Sequence, residues 1–297
     1  MHILANFIGC GRLGKSIAKL LSIHHSVTIA GIVNSSLKSS VEAAKFIGQG
    51  MAVSDLKELP PADIYFITTH DSLIQTICNR LLTETPLKKG AAVVHCSGSL
   101  SSDVLSSAVK AGYPVASIHP IKSFADPALS VQSFKNTFCA IEGDKEAITL
   151  LEKLFSNIGG NLINISKENK PLYHAAGVIA NNYLVTLHYH AVQCYKSGGI
   201  EEEVAKKIVS MLMNNALSNL NQLDHHQQAL TGPLQRGDLQ TVRNHLIALE
   251  DQPLVRDIYS HLGLATLPLT RHSPEVTAQL EKELLLASSH FPSKLTI

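Results

Sequence analysis

Short apolar runs alternate with amphipathic stretches through the first half of the chain. Ile3–Ile8 reads as a strand, Arg12–Ser22 as a helix and Val27–Val33 as a second strand. A polar turn leads into a helix over Ser40–Ile47, and Pro60-Pro61 precedes a strand at Ile64–Thr68. Ala92–His95, Val115–Ile118, Phe138–Ile141 and Leu162–Ile165 are further strand candidates. These runs are apolar throughout instead of alternating, which predicts a parallel sheet covered by helices on both faces.

After Ile165 the pattern becomes helical. Asn169 or Lys170 caps a helix that carries Pro171 in its first turn, where proline is tolerated, and that runs to about Ser197 before Gly198-Gly199. Helical periodicity continues to the end, broken at Thr231-Gly232-Pro233, Gly263 and Pro268. No internal repeat or low-complexity linker appears. The expected division is therefore a change of class: an α/β domain over residues 1–165, then an all-α domain over 166–297.

Composition narrows the function. The chain has 297 residues, 45% of them hydrophobic, enough for a sizeable core. Lys+Arg number 25 against Asp+Glu 24, and aromatics are 5% with no tryptophan. Neither a basic footprint nor a base-stacking platform for nucleic acid is present, and no apolar run is long enough to span a bilayer. Five scattered cysteines form no C-x-x-C pair, and the start of the chain shows no basic leader, so a reducing, cytoplasmic setting is expected. The 15 histidines include no H-E-x-x-H, and His188 and His190 point to different helix faces, so no metal site is expected.

Gly9-Cys10-Gly11-Arg12-Leu13-Gly14 fits G-x-G-x-x-G between the first strand and the first helix. In that setting the first glycine turns the chain, the second lets the backbone approach a pyrophosphate, and the third lets helix pack on strand. An acidic residue at the end of the second strand would bond an adenosine ribose; Asn34-Ser35-Ser36-Leu37-Lys38 stands there instead. Hydroxyls and a cation suit a 2′-phosphate, with Arg12 adding charge, so NADP is expected ahead of NAD. An ordinary solvated turn is the competing reading of Lys38.

Three more polar clusters follow strands, where open parallel sheets gather ligands: Thr68-Thr69-His70-Asp71, His95-Cys96-Ser97-Gly98-Ser99, and His119-Pro120-Ile121-Lys122-Ser123-Phe124. Thr69 and His70 are expected beside the coenzyme; Ser97, Gly98, Ser99 and His119 beside a substrate. On the long helix, Lys170, His174, Gly177, Asn181 and His188 fall within an arc of roughly 60° at about 100° per residue. The seam faces a ligand, forms a solvent stripe, or is a set of satisfied core polar groups, and Asn182, His190 and Gln193 lie on another face. Lys170, His174 and Asn181 are the expected catalytic set, because an ammonium or imidazolium can stabilise charge built by hydride transfer and supply the proton. Arg236 is read as a clamp for a substrate carboxylate or phosphate, or equally as a salt-bridge partner, and Asp238 as the cap of a helix from Leu239.

With Gly9–Gly14, His95-Cys96-Ser97-Gly98, Ser117-Ile118-His119-Pro120, Tyr173-His174-Ala175-Ala176, Asn181-Asn182-Tyr183-Leu184 and Thr231-Gly232-Pro233, nearly the whole chain resembles a bacterial family. That family joins a Rossmann-like dinucleotide-binding domain to a helical domain of unknown function. More distantly it is similar to 3-hydroxyisobutyrate and 6-phosphogluconate dehydrogenases, ketopantoate reductase and pyrroline-5-carboxylate reductase. The resemblance implies an NADP-linked oxidoreductase fold and a homodimer formed through the helical domain. It also implies that Lys170 matches the interdomain-helix lysine of the hydroxyacid enzymes. One turn later those enzymes carry an asparagine, where His174 stands here, and Asn181 is the nearest asparagine in line. The expected function is an NADP(H)-dependent oxidoreductase acting on a small, anionic carbonyl or imine compound. The alternative is a non-catalytic NADP(H)-binding redox sensor.

Overall fold

A computed structural model describes residues 2–24 and 27–288, so the end of the helical pattern, 289–297, lies outside the described residues. The chain divides into two compact units, Met1–Tyr183 and Leu184–Ile297. The first unit is built on eight strands: β1 (Ile3–Ile8), β2 (Val27–Val33), β3 (Met51–Val53), β4 (Ile64–Ile67), β5 (Ala92–His95), β6 (Val115–Pro120), β7 (Phe138–Gly143) and β8 (Asn161–Asn164). They form one sheet in the order β3-β2-β1-β4-β5-β6-β7-β8. Its helices are α1 (Arg12–Ile23), α2 (Leu37–Ile47), α3 (Ile74–Glu84), α4 (Ser106–Lys110), α5 (Pro127–Gln132), α6 (Lys145–Asn157) and α7 (Lys170–Gly177).

The uninterrupted apolar strands have the burial their sequence demands. In β4, Ile64 and Phe66 join the core under one face of the sheet, while Tyr65 and Ile67 join the core under the other. All four are fully buried, as strands covered on both faces must be. The sheet departs from all-parallel at one seam, where β7 runs antiparallel to β6. The short α5 lies between those strands, and the chain turns back beside β6. That register sets Ser117 opposite Glu142. Local signals bound the helices: Ser36 caps α2 by accepting from Ser39 N, so the helix begins at Leu37, ahead of the expected Ser40, and Gly48 follows it at φ +81°.

Asn169 is the N-cap of α7, and Pro171 lies in its first turn. At Val178–Asn182 the backbone widens into a π-helical turn before α8 (Tyr183–Ser197) begins. Beyond it lie α9 (Glu202–Gln222), α10 (His226–Ala229), α11 (Pro233–Arg236), α12 (Leu239–Ala248), α13 (Pro253–Thr266) and α14 (Pro274–Ala287). In the second unit Val242, Leu246, Leu280 and Leu284 form one small core, and Val192, Ala205 and Val209 another. Asp238 caps α12, accepting from Thr241 N at 3.0 Å. None of the described helices is long and apolar enough to cross a membrane.

Candidate active site

The turn after β1 is held from three sides. Gly9 N donates to Val33 O, Gly11 N to Gly9 O, and Cys10 N to Asn34 Oδ1 at 2.6 Å. Gly9 sits at φ +77°, and a Cβ there would lie 2.9 Å from the backbone of Thr69. A Cβ on Gly14 would lie 2.5 Å from Thr68 Oγ1, so this glycine sets how closely α1 packs on the sheet. Gly11, by contrast, has open space, its nearest neighbour being its own loop at 3.9 Å. The first bond back into the loop is Lys15 N to Gly11 O. Among the described residues nothing accepts from the amides of Arg12, Leu13 and Gly14, which leaves them to an anion at the helix start.

A cleft of about 640 Å³ opens over this turn, walled by Gly9–Leu13, Lys15, Asn34, Ser35, Ser39, Thr68, Thr69, His70 and Leu73. A second of about 330 Å³ shares Gly9, Asn34, Ser35, Thr69 and Leu73 and adds Ser54, Asp55 and Arg80. Thr69 Oγ1 is buried on this wall with no hydrogen-bond partner among the described residues. Such an orphan is costly unless a ligand satisfies it. The open amides, the space at Gly11 and the orphaned hydroxyl fit a dinucleotide.

Not every residue expected at that ligand is free to meet it. Asn34 spends its amide on Cys10 N and Ser39 O, so it braces the turn. Ser36 spends its hydroxyl as the cap of α2 and Ser39 Oγ donates to Ser36 O at 2.9 Å, leaving Ser35 to offer a hydroxyl on the wall beside Thr69. Burial pushes the Cys10 thiol up to about 12, so only its backbone matters. Arg12 and Lys15 line the cleft, whereas Lys38 does not.

A separate cleft of about 430 Å³ lies within the same unit, lined by His119, Ile121, Lys122, Ser123, His174, Gly177, Val178, Asn181 and Asn182. His119, His174, Gly177 and Asn181 from the expected set thus come together. His119 Nδ1 is 2.6 Å from Tyr173 Oη, and the His119 ring meets Tyr173 and His174 edge-on. Burial, and then Lys170 and His174, push His119 down to about 4. Gly98 abuts both imidazoles: a Cβ there would overlap His174 and sit 2.9 Å from His119 Nε2. That is why this position in the loop after β5 carries no side chain.

Lys170 is placed differently from the expectation that it faces a bound ring. Its side chain is 0% exposed, and Nζ donates to Ser97 O at 3.0 Å and to Ser117 Oγ, with Glu142 Oε1 at 3.7 Å. Glu142 in turn accepts from Ser102 N and Ser102 Oγ. Burial lowers the Lys170 pKa while Glu142 opposes the fall. Ser97 and Ser99 also differ from expectation. Both hydroxyls donate to Asp71 Oδ2 at 2.8 Å, so neither proton is left for an anionic substrate. Ser97 Oγ further accepts from Ser99 N and Leu100 N, closing the loop on itself. Arg236 lies exposed in the second unit, its charge beside Asp238.

Asp71, Glu142, Ser117, Tyr173 and Asn182 entered the site without a role assigned from sequence. Glu142 carried a signal, being the one carboxylate in an otherwise apolar strand. Asn182 carried none, because a regular helix turns it away. Among the described residues no group of three or more His, Cys, Asp or Glu side chains is placed to hold a metal.

These features define a Rossmann-like architecture, an α/β sheet followed by a helical C-terminal region. Residues 137–266 match the family model of a domain of unknown function, DUF2520. A protein of Bacteroides fragilis provisionally named an NADP oxidoreductase is 22% identical, with 90% of this chain and 98% of that chain covered and a TM-score of 0.73. A Thermotoga maritima protein is 26% identical, covering 94% and 98%, at 0.66. The pyrroline carboxylate reductase of Plasmodium falciparum, solved with NADP bound, is 13% identical, covering 97% and 98%, at 0.60. No curated protein matches the sequence.

Proposed function

We propose that the protein is an NADP(H)-dependent oxidoreductase that transfers a hydride to or from a small, anionic carbonyl or imine compound. The observation that carries this reading is the open amide row of Arg12, Leu13 and Gly14 beneath a cleft holding the orphaned Thr69 hydroxyl. Ser35, Arg12 and Lys15 supply a hydroxyl and positive charge suited to a 2′-phosphate, and no carboxylate stands at the end of β2 to repel it. The NADP in the Plasmodium falciparum structure and the name of the Bacteroides fragilis protein agree with this choice.

When bound, the nicotinamide supplies or accepts the hydride. His174 and Asn181 hold the reacting group in the second cleft, His174 handles its proton, and Lys122 offers charge to the anionic end. Lys170 acts at one remove, gripping the Ser97 carbonyl and so the Gly98 approach to both histidines. A reducing, cytoplasmic setting accords with five unpaired thiols. Homodimerisation through the helical region is supported by large apolar side chains left exposed on α8 and α9, among them Val185, Tyr189, Met211 and Leu212.

The test is a titration with NADPH and NADH, followed by a screen of 2-oxo acids and cyclic imino acids at the nicotinamide absorbance. NADPH is expected to bind at least about tenfold tighter, 1.4 kcal/mol, and one substrate class to be turned over. Equal indifference to both coenzymes refutes the reading. Tight binding with no turnover of either class favours a redox sensor.

A further inference from the structure

We propose that His119, held by Tyr173 as the tautomer protonated on Nε2, is the group that polarises the reacting oxygen. The cleft is therefore built for a carbonyl compound with a second anionic group, not for a protonated imine. This rests on the oxidoreductase reading above and narrows its substrate class.

The tautomer follows from hydrogen bonding. Tyr173 Oη has His119 Nδ1 as its described partner, at 2.6 Å. Burial raises the phenol pKa, so the oxygen keeps its proton. A half-buried hydroxyl proton needs an acceptor, and the Nδ1 lone pair is the one at hand. The ring proton then sits on Nε2, which meets no hydrogen-bond partner among the described residues, on a side chain that lines the cleft.

The neighbours keep this ring neutral. Lys170 and His174 on α7 disfavour a second proton, and burial does so more strongly. Asp71 pulls the other way, but its Oδ2 is engaged by Ser97 and Ser99. A neutral imidazole is a poor source of a whole proton and a good fixed donor to developing negative charge.

Charge then selects the substrate. When a hydride adds to a carbonyl carbon, the C=O π pair moves to oxygen, which becomes an alkoxide and takes a proton by way of His174, resupplied from solvent. The carbonyl is reduced and the nicotinamide coenzyme oxidised. The N–H of His119, the Asn181 and Asn182 amides and the Lys122 ammonium all suit that growing negative charge. A protonated imine begins as a cation and loses its charge as the hydride arrives. It needs a carboxylate beside it, and the described lining of the cleft contains none.

The experiment pairs 15N NMR of the histidine rings with a substrate comparison. In the coenzyme-free protein, His119, identified by its loss in His119→Gln, is expected as the Nε2–H form and to stay neutral down to about pH 4. Tyr173→Phe should release it into mixed tautomers. With NADPH, a 2-oxo acid should be reduced in preference to a cyclic imino acid of the same carbon number. His119→Gln should lower kcat by about 10²–10³-fold with NADPH affinity unchanged. An Nδ1–H ring in the wild-type protein, or preference for the imine, overturns the inference while leaving the oxidoreductase reading standing. Failure of the wild-type protein to bind either coenzyme overturns both.

Discussion

Replacing Lys170 with methionine separates a structural from a chemical lysine. Methionine keeps most of the buried stem but removes the ammonium that bonds Ser97 O and Ser117 Oγ and faces Glu142 at 3.7 Å. At an effective dielectric of about 20, two unit charges at that distance attract by about 4 kcal/mol. Removing one partner of a buried pair costs about 3–5 kcal/mol, because the other charge stays behind uncompensated. Glu142 retains its two bonds from Ser102, which points to the lower end of that range. In a unit of this size, about 3 kcal/mol corresponds to a drop in Tm of about 6–12 °C.

The assay is thermal and urea unfolding followed by far-UV circular dichroism, since the chain has no tryptophan. Lys170→Met should unfold early, and Lys170→Met with Glu142→Gln should recover at least half the loss, because the stranded charge is gone. If Tm stays within about 2 °C while turnover collapses, the ammonium takes part in the chemistry and the positioning role is refuted.

Acid should loosen the fold. Burial lowers His95 from its ordinary 6.5 to about 4, worth about 3 kcal/mol at 1.36 kcal/mol per pH unit. A depressed folded-state pKa means the unfolded chain binds the extra proton, so this stability is complete above pH 6.5 and lost as pH falls through 4; a flat denaturation profile over that window refutes it. Gly9→Ala places a Cβ against Thr69 at φ +77° and should cost about 1–3 kcal/mol while weakening NADPH binding in a calorimetric titration; unchanged affinity would remove the turn from the coenzyme site.

Much of the sheet was legible because its signals are local. The run of β1, the glycine turn, α1 and β2 is specified by consecutive residues, and β4 and β5 are too apolar to be anything but buried strands. β3 escaped because three residues, with Met51 half exposed, carry no periodicity of their own and exist as a strand only by pairing with Gly31–Val33. The role of Lys170 was hidden for a related reason. Helical phase gives the direction of a side chain but not what the sheet places in its way. Here β6 and β7 bring Ser117 and Glu142 side by side across an antiparallel seam that neither strand announces by itself. The serines of the loop after β5 likewise looked ligand-ready until Asp71, from another loop, took both their protons.

The long helix shows where a phase argument holds and where it stops. At 100° per residue His174 and Gly177 share a seam, and both reach the cleft. From Val178 to Asn182 the turn is π-helical, which advances less per residue, so Asn182 joins Asn181 on the cleft wall. Extrapolating a regular helix past this point sends Asn182 away from the cleft and keeps His188 in line with it. In the structure His188 Nε2 instead lies 3.2 Å from Ser210 Oγ on α9, a bond inside the second unit. A π turn is costly and tends to persist where function needs it. Its presence at the residues that line the cleft is therefore a reason to read Asn181 and Asn182 as a pair of amides delivered to one ligand, which residue spacing along an ordinary helix would never bring together.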